Sequence, residues 1–451
     1  MATSLRAFKV RLYEEHLEEA SFLYCQRRVL LEDPTIPWSR VEDFERRLEA
    51  HLDALVLGGD LALEICREHA AGGDTGELFA AAAVVCRLLA APLFAEILEA
   101  LDEVEPERGQ ALADALKFEL PDSWRDSCVR ALHQGPPHLQ SILAEVAGHR
   151  RIDSHGALSA LAANAQAESQ AMFLWALGRT REEGAMASVR GSLGSSSESV
   201  YSTALRAGLR LHDLAVLDHL SEVRGERQVT PIDLALAGGG SATWNLLRRL
   251  DRGEPAPQLL LALGLLGDLA AIPRLLHALA EPLSAASAAD ALYTITGAPL
   301  FEVVLIPDPV RRDELFDKEL RTYRETGELP HRGDGEPFGS RVRQLSRDPA
   351  AWHDWLRSHT TRFISGVRYR CGNPSTAGGL LQALGSDTFP KHLRPLAAEE
   401  LQIRYGIDLP FEVDMFVAQQ RQVLAQADTW AARTDSYLES GHWYFGSRPI
   451  S

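Results

Sequence analysis

Glycine recurs as Gly148, Gly178, Gly208, Gly238 and Gly267, at steps of 30, 30, 30 and 29 residues, each time closing an Ala/Leu-rich stretch. Such a period marks stacked repeats, in which one supersecondary unit buries its apolar face only against its neighbours. The register extends beyond glycine. One position earlier stand Ala147, Leu177, Ala207, Ala237 and Leu266; four positions earlier stand Ala144, Leu174, Ala204, Leu234 and Leu263. Spacings of three and four put apolar side chains on one helical stripe. Glycine just past that stripe is expected to take the left-handed conformation that closes a helix. Each unit therefore reads as helix, glycine stop, short turn and second helix.

The unit is shorter than the roughly 40–47 residues of an ordinary HEAT repeat and resembles the compact HEAT-like repeats of bilin lyases. The predicted fold class is all-α, an α-solenoid of short HEAT-like repeats. Residues 1–59 read as an N-terminal helical cap, with one helix from about Ser4 to Glu32 and a second opened by a Ser39–Glu42 capping box. Residues 60–298 read as the repeat array and 299–348 as a linker or insertion loop rich in Pro, Gly and charge. Residues 349–451 read as a small C-terminal helical module with an aromatic tail. Within the loop, the Arg332, Gly333, Asp334 triplet reads as a chance occurrence.

Aromatic residues make up only 7% of the 451, while Ala and Leu dominate, which favours helix over strand. The net charge of −17 argues against nucleic acid, which requires a basic face, and against an anionic membrane surface. It suits a protein partner, including a basic one. Five widely spaced cysteines without a CxxC pair predict buried thiols in a reducing compartment. Met1–Val10 lacks an apolar signal-peptide core, so the expected location is cytoplasmic.

No catalytic, cofactor or metal constellation is predicted. His16 and His51, each beside carboxylates, read either as zinc ligands or as a hydrogen-bonded pair tying the cap together, and the pair is the expected reading. Gly238, Gly239 and Gly240 precede a helix without the lysine of a phosphate loop, so they read as a cap. Cys371 lies in a turn without a demonstrable base. The predicted partner-binding residues are His155, Arg190, His219 and Trp244, on second-helix stretches expected to line a concave face, together with Trp443, Tyr444 and Phe445. Three consecutive rings cannot all face one core, so at least one is expected to meet a partner or to pack against the end of the array.

Four segments carry a family resemblance: Tyr13–Leu23 (YEEHLEEASFL), Glu45–Leu55 (ERRLEAHLDAL), Ala289–Gly297 (ADALYTITG) and Phe363–Tyr369 (FISGVRY). In this order they resemble a proteobacterial family of HEAT-like repeat proteins commonly encoded beside type VI secretion genes. Gln419–Gln422 partly fits that family's Gln/Arg-rich last helix, and the extension from about Asp428 to Ser451 has no counterpart in it. The resemblance implies a protein-interaction scaffold, an adaptor or accessory factor whose partner is a secretion component or effector. The alternatives are a cytoplasmic immunity protein that neutralises a toxic effector and, by analogy of fold alone, a lyase-type enzyme.

Overall fold

The computed structural model describes residues 4–100, 106–222, 230–254, 256–307, 316–327 and 339–450. Among them the chain is mostly helical, with 23 α-helices and three two-stranded antiparallel sheets. The N-terminal part consists of α1 (Leu5–Glu32), α2 (Glu42–Gly58) and α3 (Asp60–Gly72). Ser4 caps α1 by accepting the Ala7 N–H at 3.1 Å. Ser39 departs from its expected capping role. It lies in a 3₁₀ turn before α2 and donates instead to Asp387 at 2.7 Å.

Shorter helices follow: α4 (Thr75–Arg87), α5 (Ala91–Glu99), α6 (Pro106–Glu119), α7 (Arg125–Gln134), α8 (Pro137–Arg150), α9 (Ala157–Asn164), α10 (Ala167–Thr180), α11 (Ala185–Ser192) and α12 (Glu198–Arg210). They continue as α13 (Leu214–Glu222), α14 (Pro231–Ala237), α15 (Gly240–Asp251), α16 (Ala256–Leu266), α17 (Ile272–Ala278) and α18 (Ala285–Thr296). Even-numbered helices pack in succession, α4 on α6 and onward to α12, then α14 on α16 and α16 on α18. The intervening odd-numbered helices lean on their sequence neighbours.

Gly238 ends α14 and Gly267, in left-handed backbone, closes α16 as expected, but the other three glycines of the period have a different cause. Gly148, Gly178 and Gly208 lie within α8, α10 and α12 rather than beyond them. A Cβ at Gly178 would sit 2.9 Å from the Ala207 Cα, and one at Gly264 would sit 2.6 Å from the Ala291 Cα. These glycines let successive helix backbones approach closely. Left-handed backbone comes three residues later, at Arg151 (φ 56°), Arg181 (φ 55°) and Gly267 (φ 75°). By that offset Gly264, not Gly267, is the counterpart of Gly148 and Gly178.

The segment expected as a loop holds a ladder. Strand β1 (Phe301–Pro307) pairs antiparallel with β2 (Gly339–Leu345), Phe301 opposite Leu345, and α19 (Asp317–Thr326) lies between them in sequence. The Arg332–Asp334 triplet falls outside the described residues. Then come α20 (Pro349–Ser358), the hairpin β3 (Tyr369–Arg370) and β4 (Asn373–Pro374), α21 (Ala377–Gly385), α22 (Arg394–Tyr405) and α23 (Val417–Asp435), and the hairpin β5 (Tyr444–Phe445) and β6 (Arg448–Pro449).

One apolar core runs from α1 to α12, and a second joins α14–α18 to the C-terminal helices. A third cluster links them, with Leu205, Leu209 and Val216 meeting Ile403 of α22 and Phe445 of β5. Among the described residues no helix is long and apolar enough to cross a membrane.

Candidate functional site

The C-terminal ends of the even-numbered helices bring a row of cations together, and the chain's own residues 399–416 lie along it. Lys117 of α6 reaches Asp414 at 3.2 Å, Asp114 at 3.0 Å and Glu145 at 2.5 Å. The ring of His149, on α8, stands 3.4 Å from Asp414. Arg151, just past α8, and Arg179 of α10 both bind Glu412, at 3.0 and 2.8 Å. Arg179 and Arg210 of α12 share Glu399 of α22, at 3.1 and 2.6 Å. At the N-terminal end Arg27 of α1 donates to the Asp414 carbonyl and to Glu45, which in turn accepts the Val417 N–H at 2.7 Å.

Farther along, the C-terminal segment serves helix-end carbonyls that have no partner inside their own helices. Arg404 donates to Ala235 and Gly238 at 2.6 and 3.1 Å. Arg368 donates to Leu265 and Leu266 at 3.0 and 2.9 Å, and Arg370 to Leu265 at 2.7 Å. The Cys371 and Gly372 amides close on Thr294 and Ile295 of α18, at 2.7 and 2.9 Å. Glu400, fully buried, pairs with Arg368 and Arg370 and lies 3.4 Å from Arg404. Guanidinium groups at helix C-termini face the negative end of each dipole, which helps offset three arginines grouped around one carboxylate.

Burial of these groups opposes ionisation, and their partners overcome it on the acidic side. Against burial, Arg210 and Arg179 hold the Glu399 carboxyl down at about 2. Glu412 is held below its ordinary range by Arg179 and Arg151, and Asp414 well below its own by His149 and Lys117. Burial pulls Arg210, Arg370 and Arg404 down to about 10, which leaves all three charged at neutral pH.

Little open space remains in this seam. The cavity among Arg179, Arg210, Glu399, Gln402 and Glu412 measures about 40 Å³, far below the roughly 300–1,000 Å³ of small-molecule pockets. Among the described residues no group of three or more His, Cys, Asp or Glu is placed to hold a metal. His16 and His51 share an Nδ1···Nδ1 hydrogen bond of 2.9 Å, the second of their two readings. Burial pushes the Cys371 thiol up, away from a reactive thiolate. Gly238 and Gly239 end α14 and start α15.

The predicted partner-binding residues are dispersed. His155 is exposed in the turn before α9, with φ 52°, rather than on a second helix. Arg190 of α11 is tied bidentately to Asp213, at 2.6 and 2.7 Å. His219 of α13 lies 3.3 Å from the Tyr201 hydroxyl. Trp244 of α15 is 60% exposed. Tyr444 and Phe445 are buried, so the expectation that they meet a partner gives way to its alternative. Tyr444 donates to the Glu439 carbonyl at 2.9 Å and Phe445 packs edge-on to His212. Trp443 is half-buried, its ring close to Gly240. The hairpin docks on the end of α22 through the Gly446 and Ser447 amides, at 2.9 and 2.7 Å.

The C-terminal ends of the even-numbered helices are therefore covered by the chain's own residues 399–416, a surface distinct from the one expected to bind a partner. The seam is lined by first helices, whereas Arg190, His219 and Trp244 lie on second ones. Sequence reasoning missed the seam cations, yet the signal was present: His149 and Arg179 follow their glycines by one position, and Arg151 and Arg181 by three. Compared with known protein-family models and with curated proteins, the chain matches none.

Proposed function

We propose that this protein is a protein-interaction scaffold, an α-solenoid of short HEAT-like repeats acting as an adaptor or accessory factor for type VI secretion or its effectors. The association with secretion rests on the sequence resemblance. The observation that supports a scaffold is how charge and apolarity are divided. The seam charges are buried or part-buried and paired in fastening the helices to one another, whereas large apolar side chains remain exposed elsewhere. These include Trp244, Leu283, Phe8, Phe22 and Val29. A rigid body with exposed aromatic anchors binds at little ordering cost.

With the helix-end face filled, recognition falls to surfaces outside the seam, and the odd-numbered helices supply one. The test is co-expression with the components and effectors of a type VI locus, followed by size-exclusion chromatography of each pair. A stoichiometric complex with one of them is the expected result. Absence of any complex across the whole locus, at micromolar concentrations, would remove the assignment.

A further inference from the structure

Trp244 and Leu247 of α15 face Ala270 and Pro273, at the entry to α17, across an open slot of about 640 Å³. Its rim carries Arg248 and Arg274. Arg274 has one long contact, 3.9 Å, to Asp251, which also borders the slot. Arg248 is exposed and has no ion-pair partner among the described residues. In a chain of net charge −17, an aromatic-floored slot flanked by two guanidinium groups, one of them uncommitted, is a local reversal of sign. We propose that this slot docks an acidic linear segment of a protein partner, with one apolar side chain seated against Trp244 and carboxylates on Arg248 and Arg274. The proposal rests on the scaffold reading and assigns it a partner chemistry.

Two arguments select this occupant. The first is charge complementarity at short range. At physiological ionic strength charges farther than about 8 Å are largely screened, so the two rim arginines outweigh the distant net charge. The second is the chain's own precedent. Residues 407–416 intersperse Asp408, Glu412 and Asp414 among apolar side chains, and they dock with Leu409, Phe411 and Phe416 buried while Glu412 and Asp414 meet cations of the helix row. A basic segment would bring like charges to the rim.

The experiment uses the full-length protein and fluorescence anisotropy with three labelled peptides. One alternates Asp or Glu with Leu and Phe, one replaces each acid by Lys, and one replaces each Leu and Phe by Ala. The first is expected to bind and to weaken as salt rises. Trp244→Ala is expected to weaken it at least about 30-fold, as for an aromatic anchor. Arg248→Glu is expected to reverse the preference toward the lysine peptide. Trp244 and Arg248 are both exposed, so helical content and melting serve as controls for folding.

Equal binding of the lysine peptide, or binding indifferent to Trp244→Ala, overturns the assignment. Self-association that Trp244→Ala abolishes would put a second copy in the slot and overturns it too. A complex with a secretion component that survives both substitutions would sink the slot while leaving the scaffold intact.

Discussion

Substituting Gly178 by Ala isolates the cause of the glycine period. The new Cβ would lie 2.9 Å from both the Cα and the Cβ of Ala207, about 0.5 Å short of ordinary contact, and one of those atoms is backbone. Neither can swing aside, so α10 and α12 must separate across their crossing. Overpacking of this kind costs about 1–3 kcal/mol, against a gain of about 1 kcal/mol from replacing glycine in a helix. Gly191, exposed on α11 with nothing within 4 Å of its would-be Cβ, supplies the control. There the same substitution is expected to stabilise by about 0.4–1 kcal/mol. Urea unfolding of the two variants, followed by circular dichroism, should separate them by about 1–3 kcal/mol, with Gly178→Ala the weaker. If Gly178→Ala proves as stable as Gly191→Ala, close helix approach is not what the period records.

Glu399→Gln leaves Arg179 and Arg210 without their shared charge, and a loss of about 3–5 kcal/mol is expected, read as earlier proteolysis within 406–417 and a lower urea midpoint. The folded-state values of Glu399, Glu412 and Asp414 are depressed, so their contribution is full above the unfolded carboxylate range. It falls away as pH drops from about 4 toward 2, and an unfolding titration should show stability decreasing across that window. Burial and then His16 lower the His51 value. That contribution is complete above the ordinary histidine range and lost as pH falls below it, and His51→Gln should flatten the decline on the acid side of that range. A thiol reagent should label exposed Cys25 first and spare Cys66 and Cys128, whose burial holds them protonated with values raised to about 12 and about 11. Mass spectrometry of the labelled native protein checks this.

Helices were legible because their apolar stripes are local. Ala144, Leu174 and Ala204 announce one buried face wherever the chain ends up. The role of the glycines was not, since a helix stop and a helix crossing both demand a missing Cβ. The choice between them depends on Ala207 and Ala291, residues of the next helix in space. The seam was illegible for a stronger reason. Arg27 meets the Asp414 carbonyl across 387 positions, and no periodicity within either segment records that meeting. Arg368 and Arg370 likewise bind the backbone of α16 more than 100 positions earlier. The strand pair 301–307 with 339–345 was hidden by the composition between its arms.

Helices that pack in succession and lean only on their neighbours can fray from either end. Here residues 399–416 reach Arg27, Lys117, Arg151, Arg179 and Arg210, fastening early helices with a stretch 189 to 387 positions later in the chain. During synthesis the early helices must wait, their cations unmatched, until that stretch emerges. Once latched, the helices it joins are expected to unfold together instead of one by one.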